Sequence, residues 1–393
     1  TATASGLSSA TTAAFDIYSA SATQLVVSAE PSASTTAGSA ITVGVTAKDA
    51  SGNIVTNFTG SVSIAIGTNG GSGTLSGTTT VSAVSGVATF NDLSIDKIGT
   101  GYTLIATSGA LASATTSTFD ITPAAASQLI VTTQPASSSV SGSSFGLVVT
   151  AKDASGNVAT GYTGSVTVAI GTNPSSGALS GTASVSAVAG VATFAGLSID
   201  KVGTGYTLAA SATGLTGATS STFDITPASA SQLIVTTQPA SSSVSGTSFG
   251  LVVTAKDASG NVATGYTGSV SVAIGTNPSS GALSGTASVS AVAGVATFSG
   301  LSIDKVGTGY TLNATAAGLT GVTSSAFNIT PASASQLIVT TQPASSSVSG
   351  TSFGLVVTAK DAAGNVATGY TGSVTVAIGT NPSSGALSGT ASV

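Results

Sequence analysis

Apolar and polar residues alternate along most of this chain in short runs. Phe145, Leu147, Val149 and Ala151 alternate with Gly146, Val148 and Thr150, and Val166, Val168 and Ile170 alternate with Thr167 and Ala169. A side-chain period of two is that of a strand with one buried face. Leu129 and Val131 mark an earlier strand, Tyr206 and Leu208 open a later one, and Phe223 and Ile225 form another. Phe194, Leu197 and Ile199 keep the alternation only as a strand pair or a bulged strand. Turn chemistry separates the runs. Asp153-Ala154-Ser155-Gly156-Asn157 reads as a hairpin loop in which Gly or Asn takes φ > 0, Ala189-Gly190 as a tight turn, and Gly171 to Gly177 as a surface loop. No 3.6-residue stripe builds up, because Gly, Ser, Thr and Val interrupt every Ala-rich stretch. The pattern predicts about seven to nine strands per hundred residues and no helix.

The pattern then repeats. Gln-Leu-(Val/Ile)-Val recurs at Gln24, Gln128, Gln232 and Gln336, a step of 104 residues. Lys48-Asp49, Lys152-Asp153, Lys256-Asp257 and Lys360-Asp361 keep that step. Residues 124–227 and 228–331 differ at only ten positions, so no single copy is tailored to one binding event, and the unit of function is the array. The domain reading is 1–19 as the C-terminal strand of a preceding repeat, 20–123, 124–227 and 228–331 as full repeats, and 332–393 as the start of a further, truncated one. About 23 residues are missing between the two fragments. A window on a longer array accounts for this offset. The competing arrangement joins chains end to end, one terminus supplying a strand to the next chain, and the missing residues count against it.

The fold class that follows is all-β: tandem immunoglobulin-like sandwiches of 104 residues, arranged as a rod. Such a length buries a core without cross-links. Pro123, Pro227 and Pro331 follow the last strand of each copy and stiffen a short linker. With about ten residues per strand, one unit is on the order of 35 Å long and the chain roughly 130–150 Å.

Composition narrows the chemistry. The 393 residues contain no Cys, His, Met, Trp or Arg, only 5% charged residues, and 69 Ser with 64 Thr. That excludes disulfides, Cys/His zinc sites, thiol nucleophiles and imidazole bases. A net charge of −5 without Arg excludes a nucleic-acid footprint. No apolar run reaches the roughly 20 residues of a membrane span. Ser residues without a base beside them are surface hydroxyls, so the protein is read as non-enzymatic. The Gly203-Thr204-Gly205 segment lacks the features of a phosphate loop and reads as a hairpin turn.

Leu147-Val-Val-Thr-Ala-Lys-Asp-Ala-Ser-Gly-Asn157, Gly190-Val-Ala-Thr-Phe194 and Gly203-Thr-Gly-Tyr-Thr-Leu208 together resemble bacterial immunoglobulin-like repeats of the invasin/intimin (Big) type. The resemblance covers every copy. It implies the stalk of a large secreted or surface-anchored bacterial protein: an adhesin, biofilm matrix protein or S-layer component. Its very low charge sets the chain apart from that group, and no lectin-like domain accompanies the repeats, so adhesive specificity is not carried over.

The recurrent acids are Asp153, Asp200 and Asp224, with Asp49, Asp96 and Asp120 in the copy before and Asp257 and Asp304 in the copy after, where Asn328 takes the third place. One reading is a Ca²⁺ site at each domain junction, two or three Asp being joined by loop carbonyls. The other is turn chemistry with local ion pairs, since Lys152 precedes Asp153 and Lys201 follows Asp200. Asn57, Asn313 and Asn328 lie in N-glycosylation sequons without keeping the repeat spacing. Tyr162, with Phe58, Tyr266 and Tyr370 in the other copies, is the one candidate ring for glycan stacking, or else packs on a core edge.

A surface of Ser, Thr, Gly and Ala loses little rotamer entropy on contact and carries little repulsion. The expected role is an extracellular structural protein of a bacterial surface. Its partners would be copies of itself, laterally or end to end, in a filament, sheath or lattice. The alternative is an adhesin stalk that displays a binding tip or binds glycans or a host surface.

Overall fold

The computed structural model describes all 393 residues, and strands are its only regular elements. Residues 124–227 serve as the reference repeat. Its strands are β1 (Gln128–Thr133), β2 (Ser138–Val140), β3 (Phe145–Lys152), β4 (Ser165–Ile170), β5 (Leu179–Ser180), β6 (Ser184–Ser186), β7 (Val191–Ile199), β8 (Gly203–Tyr206), β9 (Leu208–Ser211), β10 (Ala218–Thr219) and β11 (Phe223–Thr226). Eleven strands exceed the predicted seven to nine. The additional ones are two- and three-residue edges such as β5 and β10, too short to show a period.

One sheet runs β1-β3-β7-β5, and β6-β4-β9-β10 and β2-β11-β8 complete the sandwich. The pairing is antiparallel except between β2 and β11, where Ser138, Ser139 and Val140 lie beside Asp224, Ile225 and Thr226. β7 is one bulged strand. Phe145 faces Leu197 while Leu147 faces Phe194, so two steps on β3 oppose three on β7. That slip is why Phe194, Leu197 and Ile199 all point inward despite their uneven spacing. Tyr206 and Leu208 do not share a strand: β8 pairs with β11 and β9 with β4, and the chain changes sheets at Thr207.

The alternating residues form the core. Leu129, Leu147, Val149, Ala192, Phe194, Leu197 and Ile199 meet Val166, Val168, Tyr206, Leu208, Phe223 and Ile225. Each large side chain sealed in this way contributes roughly 1.5–3 kcal/mol. Phe223 packs edge-on to Phe145 at 5.4 Å between ring centres. The other two complete sandwiches repeat this core. Tyr162 is half-buried and packs on the core, as do Phe58 and Tyr266.

Residues 1–19 form no strand, only an isolated bridge between Ala2 and Ala10. Phe15 and Ile17 are exposed, whereas the equivalent Phe223 and Ile225 are buried. Residues 332–393 retain one hairpin, Gln336–Thr341 against Val356–Lys360, and Leu337 and Phe353 lie open. A strand buries its apolar face only against an opposing sheet, which neither fragment has.

Candidate functional site at the joints between repeats

β3 ends at one pole of the sandwich and β7, its antiparallel neighbour, at the other. The loop after β3 therefore faces the preceding repeat, and the loop after β7 faces the following one. At every joint the side chains of each loop meet the main chain of the other.

The loop after β3 is built around Asp153. One carboxylate oxygen accepts from the Ser155 N–H (3.0 Å) and the Asn157 N–H (2.9 Å), and the other from Asn157 Nδ2 (2.9 Å) and the linker N–H of Ala124 (3.2 Å). Gly156, at φ 81°, closes the turn, so of the two residues expected to take φ > 0 it is the Gly that does. Asp153 is fully buried. Burial pushes its carboxyl up, but the donors of Asn157, Ala124 and Ser155 outweigh that and hold it below the ordinary aspartate value. Asp257 and Asp361 are buried and held down in the same way, through Asn261 and Asn365.

The same Asn reaches across the joint. Asn157 Nδ2 donates to the Asp96 carbonyl at 2.8 Å, and its Oδ1 accepts from the Ile98 N–H at 3.4 Å. Lys97 Nζ donates to the Ser155 carbonyl at 2.6 Å. At the second joint Asn261 bonds the Asp200 carbonyl (2.8 Å), the Val202 N–H (3.2 Å) and Ser141 Oγ (2.9 Å), and Lys201 bonds the Ser259 carbonyl (2.9 Å). The third joint repeats this with Asn365, Asp304, Val306, Ser245 and Lys305, the lysine reaching the Ala363 carbonyl at 2.7 Å. The lysine's acceptor is main chain, so replacing Ser by Ala at this loop position leaves the bond in place. No buried side-chain nitrogen or oxygen in the protein lacks a partner.

The structure thus joins Asp257 to Asp200 through Asn261, and Asp153 to Asp96 through Asn157. It gathers no group of three acidic side chains. The calcium reading of Asp49, Asp96, Asp120, Asp153, Asp200, Asp224, Asp257 and Asp304 thus finds no such cluster, and donors, an amide and an ammonium, face the acids at each joint. Asp96, Asp200 and Asp304 each accept one loop N–H and stand 3.6–4.0 Å from the adjacent lysine, both groups being about 40% exposed. Exposed pairs of this kind contribute little. Asp120 and Asp224 accept from the N–H groups of Gly101 and Gly205, away from the joint contacts. The expected pairing of Lys152 with Asp153 is absent, because the carboxylate turns inward to its own loop. Asn57, Asn313 and Asn328 are all exposed.

Sequence reasoning passed over Asn157, Asn261 and Asn365 as cross-joint residues, together with Ser141, Ser245 and the lysine contacts. The available signal was the strict 104-residue recurrence of an Asn that φ alone does not require.

No protein-family model matches the chain, and no curated protein matches it. Among solved structures it is similar to the Escherichia coli adhesin FdeC, at 18% identity, over 80% of this chain and 100% of that one, with a TM-score of 0.33. It is similar to domains 4–9 of the surface layer protein SbsC, at 15% identity, over 82% of this chain and 50% of that one, with a TM-score of 0.23. Immunoglobulin domains 1–5 of Sidekick-1 match at 14% identity, over 79% and 60%, with a TM-score of 0.27.

Proposed function

We propose that this chain belongs to an extracellular structural protein of a bacterial surface. In this reading its sandwiches form a stiff rod that associates with copies of itself into a filament, sheath or lattice. The observation that carries the reading is the joint. Three successive joints use the same Asn, Lys and main-chain partners, so each domain is set on the last in the same way. The outward face of β4, β6 and β9 supports lateral contact, since Ser165, Thr167, Ala169, Ser184, Ser186 and Ser211 are all small and exposed. The absence of Cys and Met, which leaves no easily oxidised side chain, suits an extracellular setting.

An adhesin stalk uses the same rod. The half-buried, core-packed Tyr162 and its equivalents favour a spacer over a glycan platform. Small-angle scattering and electron microscopy of the purified chain, at rising concentration and with or without Ca²⁺, test the reading. An elongated particle that associates supports it. An elongated particle that stays monomeric throughout moves the assignment to the stalk, and a compact particle with freely jointed domains overturns both.

A further inference from the structure

Asn69 stands apart from the Asn residues at the same position of the other repeats. It lies in the loop that carries Asn173, Asn277 and Asn381 in later copies. In all four the side chain folds back in the same way: Oδ1 accepts from the N–H four residues on at 2.7–2.8 Å, and Nδ2 donates to that residue's carbonyl at 2.6–2.9 Å. The following backbone keeps its form too, with Ser72 at φ 55° and Ser176 and Ser280 at φ 53°. The residue after the Asn differs. It is Pro174, Pro278 and Pro382 in the later copies and Gly70 in the first, and Asn69-Gly70 is the only Asn-Gly in the chain.

We propose that Asn69 is a site of spontaneous covalent modification, deamidation through a succinimide, and that its counterparts are protected. The nucleophile is the main-chain nitrogen of Gly70. Its N–H makes no hydrogen bond, and Asn69 and Gly70 are both exposed to water. This nitrogen attacks Cγ of Asn69. The bond from Cγ to Nδ2 breaks, ammonia leaves with the proton that Gly70 gives up, and a five-membered imide remains. Water then opens the imide at either carbonyl to an aspartyl or isoaspartyl link. The Gly73 N–H, 2.7 Å from Oδ1, faces the oxygen on which negative charge develops during the attack, the role of a preorganised donor. Gly at the attacking position leaves the nitrogen unhindered, whereas Pro has no N–H to give up.

The consequence lies at the first joint. A Cβ on Gly70 or Gly71 would collide with the main chain at Thr100 or Ile98, so this loop sits directly on the segment 98–100. Ile98 donates to Asn157 across the joint, and Lys97 beside it to the Ser155 carbonyl. An isoaspartyl link adds a main-chain methylene to the loop and either product adds a carboxylate, so modification disturbs the first joint and leaves the second intact.

The test is timed incubation of the folded chain at mildly alkaline pH, followed by unfolding, cleavage at Lys and peptide mass spectrometry. Lys48 and Lys97 bound the segment with Asn69, and Lys152 and Lys201 bound its counterpart with Asn173. The expected result is exchange of NH₂ for OH at Asn69, with an isoaspartyl fraction accepted by an isoaspartate methyltransferase, while Asn173 and Asn277 stay amides. The variant Pro174→Gly adds no Cβ and gives the second repeat an Asn-Gly pair of its own, so Asn173 should then convert over the interval in which half of Asn69 does, while Asn277 stays an amide. Retention of the Asn69 amide in the folded chain, conversion of Asn173 at the same pace in the unaltered chain, or retention of the Asn173 amide in the variant would each overturn the proposal.

Discussion

At the second joint the Asn261 amide meets both the Asp200 carbonyl and the Ser141 hydroxyl, and Ser141 itself donates to that carbonyl at 2.7 Å. At the first joint Nδ2 of Asn157 finds only the Asp96 carbonyl across the joint, because Ala37 stands where the second repeat has Ser141. Yet Asn157 is the better covered of the two, at 7% exposure, whereas Asn261 is half-buried. Ile98 in place of Val202 adds apolar bulk on the same segment. One joint thus holds an extra hydrogen bond and the other a drier seal. What both retain is main chain: the carbonyls of Asp96 or Asp200 and of Ser155 or Ser259, and the N–H of Ile98 or Val202. A joint built on backbone groups tolerates side-chain drift between copies, because a substitution cannot remove those groups. The loop of Asp49, with no sandwich set against it, completes the contrast. Its carboxylate is already bonded to the Ser51 and Asn53 N–H groups, but Asn53 lies exposed. Each domain makes the clasp in advance, and docking covers it.

Acid should produce the largest effect, because it protonates the carboxylate that holds the cross-joint Asn at every joint. The carboxyls of Asp153, Asp257 and Asp361 titrate below the ordinary 3.8. Their contribution is therefore complete above that value and is lost as pH falls through the lower, folded-state pKa. Denaturant midpoints should hold from neutrality down to the carboxylate range and then drop. A midpoint unchanged well below that range would remove the carboxylates from the account.

Asn261→Ala should come next. It strips donors from the Asp257 carboxylate and three bonds from the second joint, and should cost about 1–3 kcal/mol, the range for leaving buried partners unsatisfied. Urea unfolding of the chain should show the second and third repeats uncoupled. Asn53→Ala, where nothing is docked, should cost less. Equal losses would mean that the Asn acts within its own loop and not across the joint.

The smallest effect belongs to the position that separates the joints. Ser141→Ala should weaken the second joint by about 1 kcal/mol, and Ala37→Ser should strengthen the first by no more than that. A chain without native Cys allows spin labels at Ser76→Cys and Ser180→Cys across the first joint, and at Ser180→Cys and Ser284→Cys across the second. The distance distribution should broaden for Ser141→Ala at the second joint alone. No change would assign Ser141 to its own domain, through the Asp200 carbonyl.

Much of the fold was legible from alternation alone. Leu147, Val149, Val166, Val168 and Phe223 point inward as their period requires, because a strand's side chains take opposite sides whatever its partners are. The β7 bulge was half legible: the break at Phe194 and Leu197 was visible, but its resolution needed the opposing spacing of Phe145 and Leu147. Edge strands such as β5 and β10 were not legible, since two residues carry no period. The joint was the least legible part. Asp153 next to Lys152 suggests an ion pair, and only the folded loop shows the carboxylate turned inward to N–H groups.

The sequence by itself determined the all-β architecture, the 104-residue unit and a surface poor in charge and rich in Ser and Thr, because alternation, recurrence and composition are local or counted properties. Tertiary structure alone decided that Asn157 bonds Asp96, 61 residues earlier, that Gly70 presents a free N–H, and that Ala37 alters a joint. Each depends on which loops reach the same pole of a sandwich, and that is set by strand direction and register in space.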